Sequence, residues 1–219
     1  MAHLKKPSGR PIFEKSRNSN FQTRRSGFRG PYPKILIICE GQQEECYFLY
    51  WKKQLAPRDI NVIPVSTRGG NPIVCVQRAI DERQKIPGWD ETLDQCWCCF
   101  DSETINERQL FLNAINEAKQ KNINLATSVP SFEYWILLHY HEGNSLYQRS
   151  RDIDRELRDI IPEYQHGRDI SEKLFKRTYI AVQNAAKLRK VNNGRWEQYE
   201  YPSTEVDQLI NVFLNIIKK

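Results

Sequence analysis

No stretch of this 219-residue chain approaches 18 uncharged apolar residues, so nothing in it is expected to span a membrane. The opening Met1-Ala-His-Leu-Lys-Lys-Pro7 lacks the apolar centre of a secretory signal, and the expected setting is therefore cytoplasmic. No Gly-x-x-x-x-Gly-Lys-Ser/Thr sequence occurs, which excludes a P-loop ATPase activity within the chain. There is no internal repeat. Cysteine is present at positions 39, 46, 75, 96, 98 and 99, always in apolar or strand-like surroundings. These are read as reduced core residues rather than as a disulfide or zinc framework. Acid is scarce in one place only. Residues 1–34 hold nine Lys/Arg against the single Glu14, a charge of +8, so the other 185 residues carry −2 of the chain's +6. At 39% hydrophobic and 27% charged, that remainder has the composition and size of one globular domain with a full core.

What is present is a pair of apolar runs that each end in acid. Ile35 to Cys39 is uninterruptedly apolar and mostly β-branched, as expected of a strand buried on both faces, and it stops at Glu40-Gly41. Gly41 frees the backbone to turn into a polar, helix-forming run from Gln42. Gln95-Cys-Trp-Cys-Cys-Phe100 repeats the design and ends at Asp101-Ser102-Glu103. Open α/β sheets bind ligands in the crevice beyond the carboxyl ends of their strands. If the two strands are neighbours, Glu40, Asp101 and Glu103 meet in that crevice, where a divalent cation would offset their repulsion. Hard carboxylate oxygens suit Mg²⁺ or Mn²⁺. Glu44, one helical turn beyond Glu40, is the preferred further metal contact over Glu45.

The rest of the pattern calls for an α/β fold with a mainly parallel, four-stranded central sheet flanked by helices. Strands are expected over 35–39, 60–65, 94–100 and 124–128, with helices over 42–55, 72–85 and 104–121. A helix opened by Pro130 carries Phe132, Glu133, Trp135 and His139. Glu133 either complements that helix's first turn or serves the crevice, since the helix starts at the same sheet edge. His139 and His141 stand two apart, point in different directions on a helix, and are assigned to core or capping roles. Charged helices follow over 149–161 and 171–190. A last helix runs from Val206 to Ile217, with Ser203 or Thr204 as its N-cap. The expected division is a basic arm at 1–33, a core at 34–142 and a C-terminal helical part at 143–219. Arg24, Arg25 and Arg29 in the arm, interspersed with Phe and Tyr, suit nucleic acid, and a solubilising or partner-docking tail is the plainer reading. Lys187, Arg189 and Lys190 suit a helix C-terminus and could also grip a nucleic-acid backbone. Arg68, beside Gly69-Gly70, could meet a phosphate or simply belong to a tight connection.

The order of these features resembles a known family. A strand ending in Glu-Gly followed by one ending in Asp-x-Asp/Glu resembles the Toprim active site of topoisomerases, primases and overcoming-lysogenization-defect nucleases. Ile38-Cys-Glu-Gly41 with Tyr47-Phe48, Cys99-Phe-Asp-Ser-Glu103, Ser128-Val-Pro-Ser-Phe-Glu-Tyr-Trp-Ile-Leu-Leu-His139 and Pro202-Ser-Thr-Glu-Val206 narrow it to the RloB-like, defence-associated proteins. The resemblance spans roughly residues 34–215. It implies a Toprim-like core and a Mg²⁺- or Mn²⁺-dependent nuclease in which Glu40 binds metal or acts as general base. It also implies that Glu133, in the Pro-x-Phe-Glu-x-Trp signature, serves the site. Glu103 stands where most Toprim sites have Asp, and its extra methylene changes the expected metal geometry. An effector of an anti-phage, abortive-infection system follows from the same resemblance. It would cleave RNA (with transfer RNA one target) or DNA beside an AAA- or ABC-type ATPase partner, with a homodimer as one assembly. The alternative is a non-catalytic module that binds nucleic acid and docks on that ATPase as sensor or regulator.

Overall fold

The structure, a computed structural model, describes residues 33–56, 60–68, 70–102, 108–143, 147, 149–191 and 202–218. Four strands form the central sheet: β1 (Lys34–Cys39), β2 (Asn61–Ser66), β3 (Gln95–Cys99) and β4 (Asn124–Leu125). Their order is β2-β1-β3-β4, and every neighbouring pair is parallel. The chain leaves β1 through α1 (Gln42–Leu55) to reach β2 on one side. It then returns through α2 (Pro72–Lys85) to β3 on the other side. The order therefore reverses between β1 and β3, and such a switch point opens a crevice beyond the strand ends.

Alternation along the strands divides the interior in two. Ile35, Ile37, Cys39, Trp97 and Cys99 face the larger cluster, which includes the α1 residues Tyr47, Phe48, Trp51 and Leu55. Leu36, Ile38, Cys96 and Cys98 face the smaller one, against α2 and α3 (Arg108–Gln120). Cys96 and Cys99 have the Cys-x-x-Cys spacing, but three residues along a strand places them on opposite faces of the sheet. All six cysteines are free. The C-terminal helices α5 (Ser150–Ile160), α6 (Ser171–Val191) and α7 (Val206–Ile217) add Ile153, Leu157, Leu174, Ala181, Leu209 and Phe213 to the larger cluster. No helix among the described residues is long and apolar enough to cross a membrane.

Three local expectations change. The strand expected over 124–128 is split, with β4 continuing the sheet and β5 (Ser128–Val129) pairing antiparallel with β6 (Ser203–Thr204). The C-terminal segment claims the intervening residue: Thr127 accepts from Glu205 N at 2.7 Å, and its hydroxyl donates to Glu205 Oε2 at 2.6 Å. The helix after Pro130 is only six residues long, α4 (Phe132–Leu137), because side chains from α6 take the carbonyls that follow. Asn184 Nδ2 donates to Leu138 O at 2.9 Å, and Arg177 Nε donates to His139 O at 2.8 Å. Ser203 and Thr204 lie in β6, the N-cap position of α7 is Glu205, and the Thr204 hydroxyl accepts from Val206 N at 3.2 Å.

At the amino-terminal edge of the sheet, one buried acid is fully served. Asp94 accepts from Lys34 N at 2.7 Å, Lys34 Nζ at 3.0 Å and Asp90 N at 2.9 Å.

Candidate functional site

The opposite edge carries the candidate site. β1 and β3 run side by side with Cys39 level with Cys99, so the residues just beyond them are brought together. Glu40 N donates to Cys99 O at 3.0 Å, extending the ladder by one step. Asp101 N donates to Glu40 Oε2 at 3.3 Å, which ties the two acids directly. Asp101 is fixed from two further directions. It forms an isolated parallel bridge with Ser128, and its Oδ2 accepts from Phe132 N at 3.1 Å, at the start of α4. The Thr67 hydroxyl holds the Glu40 carbonyl at 3.1 Å. Strand ends thus position both carboxylates through backbone contacts.

Two more acids converge here. Glu44, on the first turn of α1, is 5% exposed, and Glu133, on α4, is 4% exposed. Glu40, Glu44, Asp101 and Glu133 line one cleft of about 370 Å³, together with Gly41, Gly70 and His166. Among the described residues, no Lys or Arg lines it. Burial pushes the Glu44 carboxyl up to about 7, and the charges of Glu133 and Glu40 push the same way. Gly41 is required for space rather than for backbone freedom: a Cβ there would stand 2.6 Å from Glu44 Oε2.

The cleft also gathers residues that the sequence did not single out. His166 Nδ1 lies 3.1 Å from Glu133 Oε1 and 3.8 Å from Asp154 Oδ2. Asp154 projects from α5, and Tyr164 donates to its Oδ1 at 2.9 Å. Glu133, Asp154 and His166 each offer a ligand atom, all within 4.8 Å of one another, and this group could hold a metal ion. Asp154 reads in sequence as one acid among many on a charged helix, and His166 carries no local signal. Only the packing of the α5–α6 segment against α4 brings them to Glu133.

Other sequence candidates have separate positions. Glu103, Arg24, Arg25 and Arg29 lie outside the described residues. Arg68 is exposed and lines a neighbouring groove with Arg78 and Glu45, outside the acidic cleft, and its N–H is held by Ser66 Oγ at 2.9 Å. Lys187 pairs with Glu142 at 2.8 Å on the surface. Arg189 directs its fork at Asp207 (3.0 and 2.8 Å) and at Thr204 O, fastening α6 to α7 and β6. Lys190 is exposed. His139 and His141 take core and turn roles. His139 Nδ1 bonds Trp135 O at 2.9 Å, and burial lowers that ring to about 4, so it is neutral; His141 Nδ1 accepts from Gly143 N at 3.0 Å.

A family model described as RloB-like protein matches residues 35–213, most of the chain. No curated protein and no solved structure matches it.

Proposed function

This chain belongs to the RloB-like family, and on that premise we propose that its acidic cleft is the active site of a metal-dependent, Toprim-type nuclease. One observation carries the reading. Four carboxylates line a single cleft at a parallel-sheet switch point, with no Lys or Arg beside them among the described lining residues. Such a group is costly to hold ionised without a cation, as the raised Glu44 shows. The donors also fit the ion, because hard carboxylate oxygens suit Mg²⁺ or Mn²⁺. Glu40, Asp101 and Glu44 would hold it, with Glu103 joining from beyond the described residues.

A divalent cation bound there supplies charge neutralisation at a phosphodiester and an activated water at neutral pH. The chain's own groups do the rest. Asp101, anchored by Phe132 N, keeps its carboxylate in register with Glu40. Glu40 is the acceptor for the proton of the attacking water. Arg68 and Arg78, in the adjoining groove, offer cations to the flanking phosphates. The substrate is RNA, with transfer RNA one candidate, or DNA. The biological role that follows from the resemblance is that of an effector in an anti-phage system, triggered by a separate ATPase.

The test is cleavage of labelled RNA and DNA in Mn²⁺ and in Mg²⁺ by the full-length protein. Glu40→Gln and Asp101→Asn are expected to abolish cleavage and cellular toxicity while leaving the fold intact. Undiminished toxicity in both variants would sink the nuclease reading. It would favour a binding module, whose function would instead fall with removal of the basic arm at residues 1–33.

A further inference from the structure

The acidic cleft has two chemically different ends. At one end, Glu40 and Asp101 offer oxygen only. At the other, Glu133 and Asp154 are joined by the imidazole of His166, which comes from the connection between α5 and α6. We propose that Glu133, Asp154 and His166 form a second cation centre, separate from the Glu40–Asp101 position, which takes a first-row transition ion such as Mn²⁺ or Zn²⁺ in preference to Mg²⁺.

Geometry supports a shared ion over a simple ion pair. The three donor atoms lie within 4.8 Å of one another, close enough to surround one cation. His166 Nδ1 faces both carboxylates, at 3.1 and 3.8 Å, yet a single ring nitrogen carries at most one hydrogen. It serves one acid as a donor, while Asp154 Oδ2 has the Arg158 guanidinium no closer than 3.9 Å. A cation serves all three.

Two further observations point to a ligand. Asp154 is already oriented by the Tyr164 hydroxyl, the outer support that metal-binding carboxylates usually have. Gln43 lines the same cleft, and both polar atoms of its amide are buried without a hydrogen-bond partner. The donor chemistry then selects the ion. Mg²⁺ demands near-octahedral oxygen, whereas an imidazole nitrogen with two carboxylates suits Mn²⁺ or Zn²⁺.

This deepens the proposed function, since it rests on reading the cleft as cation-binding. It also assigns the C-terminal helical part a chemical role, because Asp154 and His166 complete a site that the sheet edge only begins.

The test is calorimetric titration of Mn²⁺ and, separately, Mg²⁺ into the metal-stripped full-length protein, with pulsed electron paramagnetic resonance of the Mn²⁺-loaded sample. Two Mn²⁺ events per chain are expected, and nitrogen modulation from a coordinated imidazole. His166→Ala should remove the nitrogen signal and weaken one event by roughly 10–100-fold. Asp154→Asn should weaken the same event, and Asp101→Asn the other. The side chain of His166 is 65% exposed, so its removal leaves the core packed. Unchanged stoichiometry, affinity and spectrum in His166→Ala would overturn the second centre and leave His166 as an ion-pair partner. A single Mn²⁺ event that Asp101→Asn removes would do the same while the nuclease reading stood. Loss of only the His166-dependent event, with Asp101→Asn silent, would keep this centre and sink the first.

Discussion

The two edges of the central sheet treat buried acid in opposite ways. At the amino-terminal edge, Asp94 is surrounded by the Lys34 ammonium and two backbone N–H groups, all within 3.0 Å. At the carboxyl-terminal edge, Glu40, Glu44, Asp101 and Glu133 share a cleft whose described lining residues include no Lys or Arg. The first arrangement is complete within the chain, so the acid strengthens the fold. In the second, Glu44 is buried among other carboxylates, and that setting raises its carboxyl to about 7. The two settings are thus told apart by what stands opposite, not by burial, since Asp94 at 8% exposure and Glu44 at 5% are nearly equal in that respect.

The contrast breaks most visibly at Asp101. Asp101→Asn should eliminate metal-dependent cleavage with the fold retained, because an amide oxygen can still accept from Phe132 N. In the parent protein, Mn²⁺ at about 100-fold over its Kd should add about 2.7 kcal/mol of stability. That is roughly a 5–10 °C rise for a domain of this size, and the variant should lose the share that comes from the Glu40–Asp101 position. Scanning calorimetry with and without metal decides both points.

At the other edge the sign reverses. Lys34→Met leaves Asp94, whose side chain is 2% exposed, without its cation, and should cost about 3–5 kcal/mol with no response to Mn²⁺. A small loss in chemical denaturation would show that the backbone donors suffice and would weaken the comparison.

Titration sharpens it further. Glu44 is protonated more readily in the folded protein, near 7, than at its ordinary 4.5. Below about 4.5 the carboxyl is neutral in both the folded and unfolded states and contributes nothing. Between about 4.5 and 7 the unfolded chain releases this proton while the folded protein keeps it, so stability falls across that window and levels off above it. In EDTA the loss between pH 4.5 and 7.5 should be on the order of 3 kcal/mol from this group, and Glu44→Gln should flatten it. An identical profile for parent and variant would place the strain elsewhere.

Smaller effects follow from the packing of the cleft and from its surroundings. Gly41→Ala drives a methyl against Glu44 Oε2 and should weaken Mn²⁺ binding about tenfold by displacing that carboxylate, with little change in melting temperature. Lys187→Ala, which removes a solvent-screened surface pair with Glu142, should leave the melting temperature unchanged in scanning calorimetry.

Much of this was legible in the residues. The apolar runs at 35–39 and 95–99 had the composition of strands buried on both faces, and both are. Periodicity placed α1, α2 and α6 within a residue or two of their observed ends, because amphipathic spacing is a local property. The meeting of Glu40 with Asp101 followed once β1 and β3 were neighbours, since each acid directly follows its strand. The short elements were less legible. A two-residue strand such as β5 has no period of its own, and its partner β6 lies some 75 residues away in the chain.

What the sequence alone determined is therefore the carboxyl edge: two buried strands and the two acids that end them, with the room that Gly41 leaves for Glu44 seen only in the folded chain. Tertiary structure alone decided the rest of the cleft. It buried Glu44 and Glu133 facing each other, and it brought Asp154 and His166 from the C-terminal helices to complete the group. It also turned Arg189 inward onto Asp207 rather than outward to solvent. The physical reason is that strand-end chemistry is written in adjacent residues, whereas a cluster built across distant elements exists only after the core has folded between them.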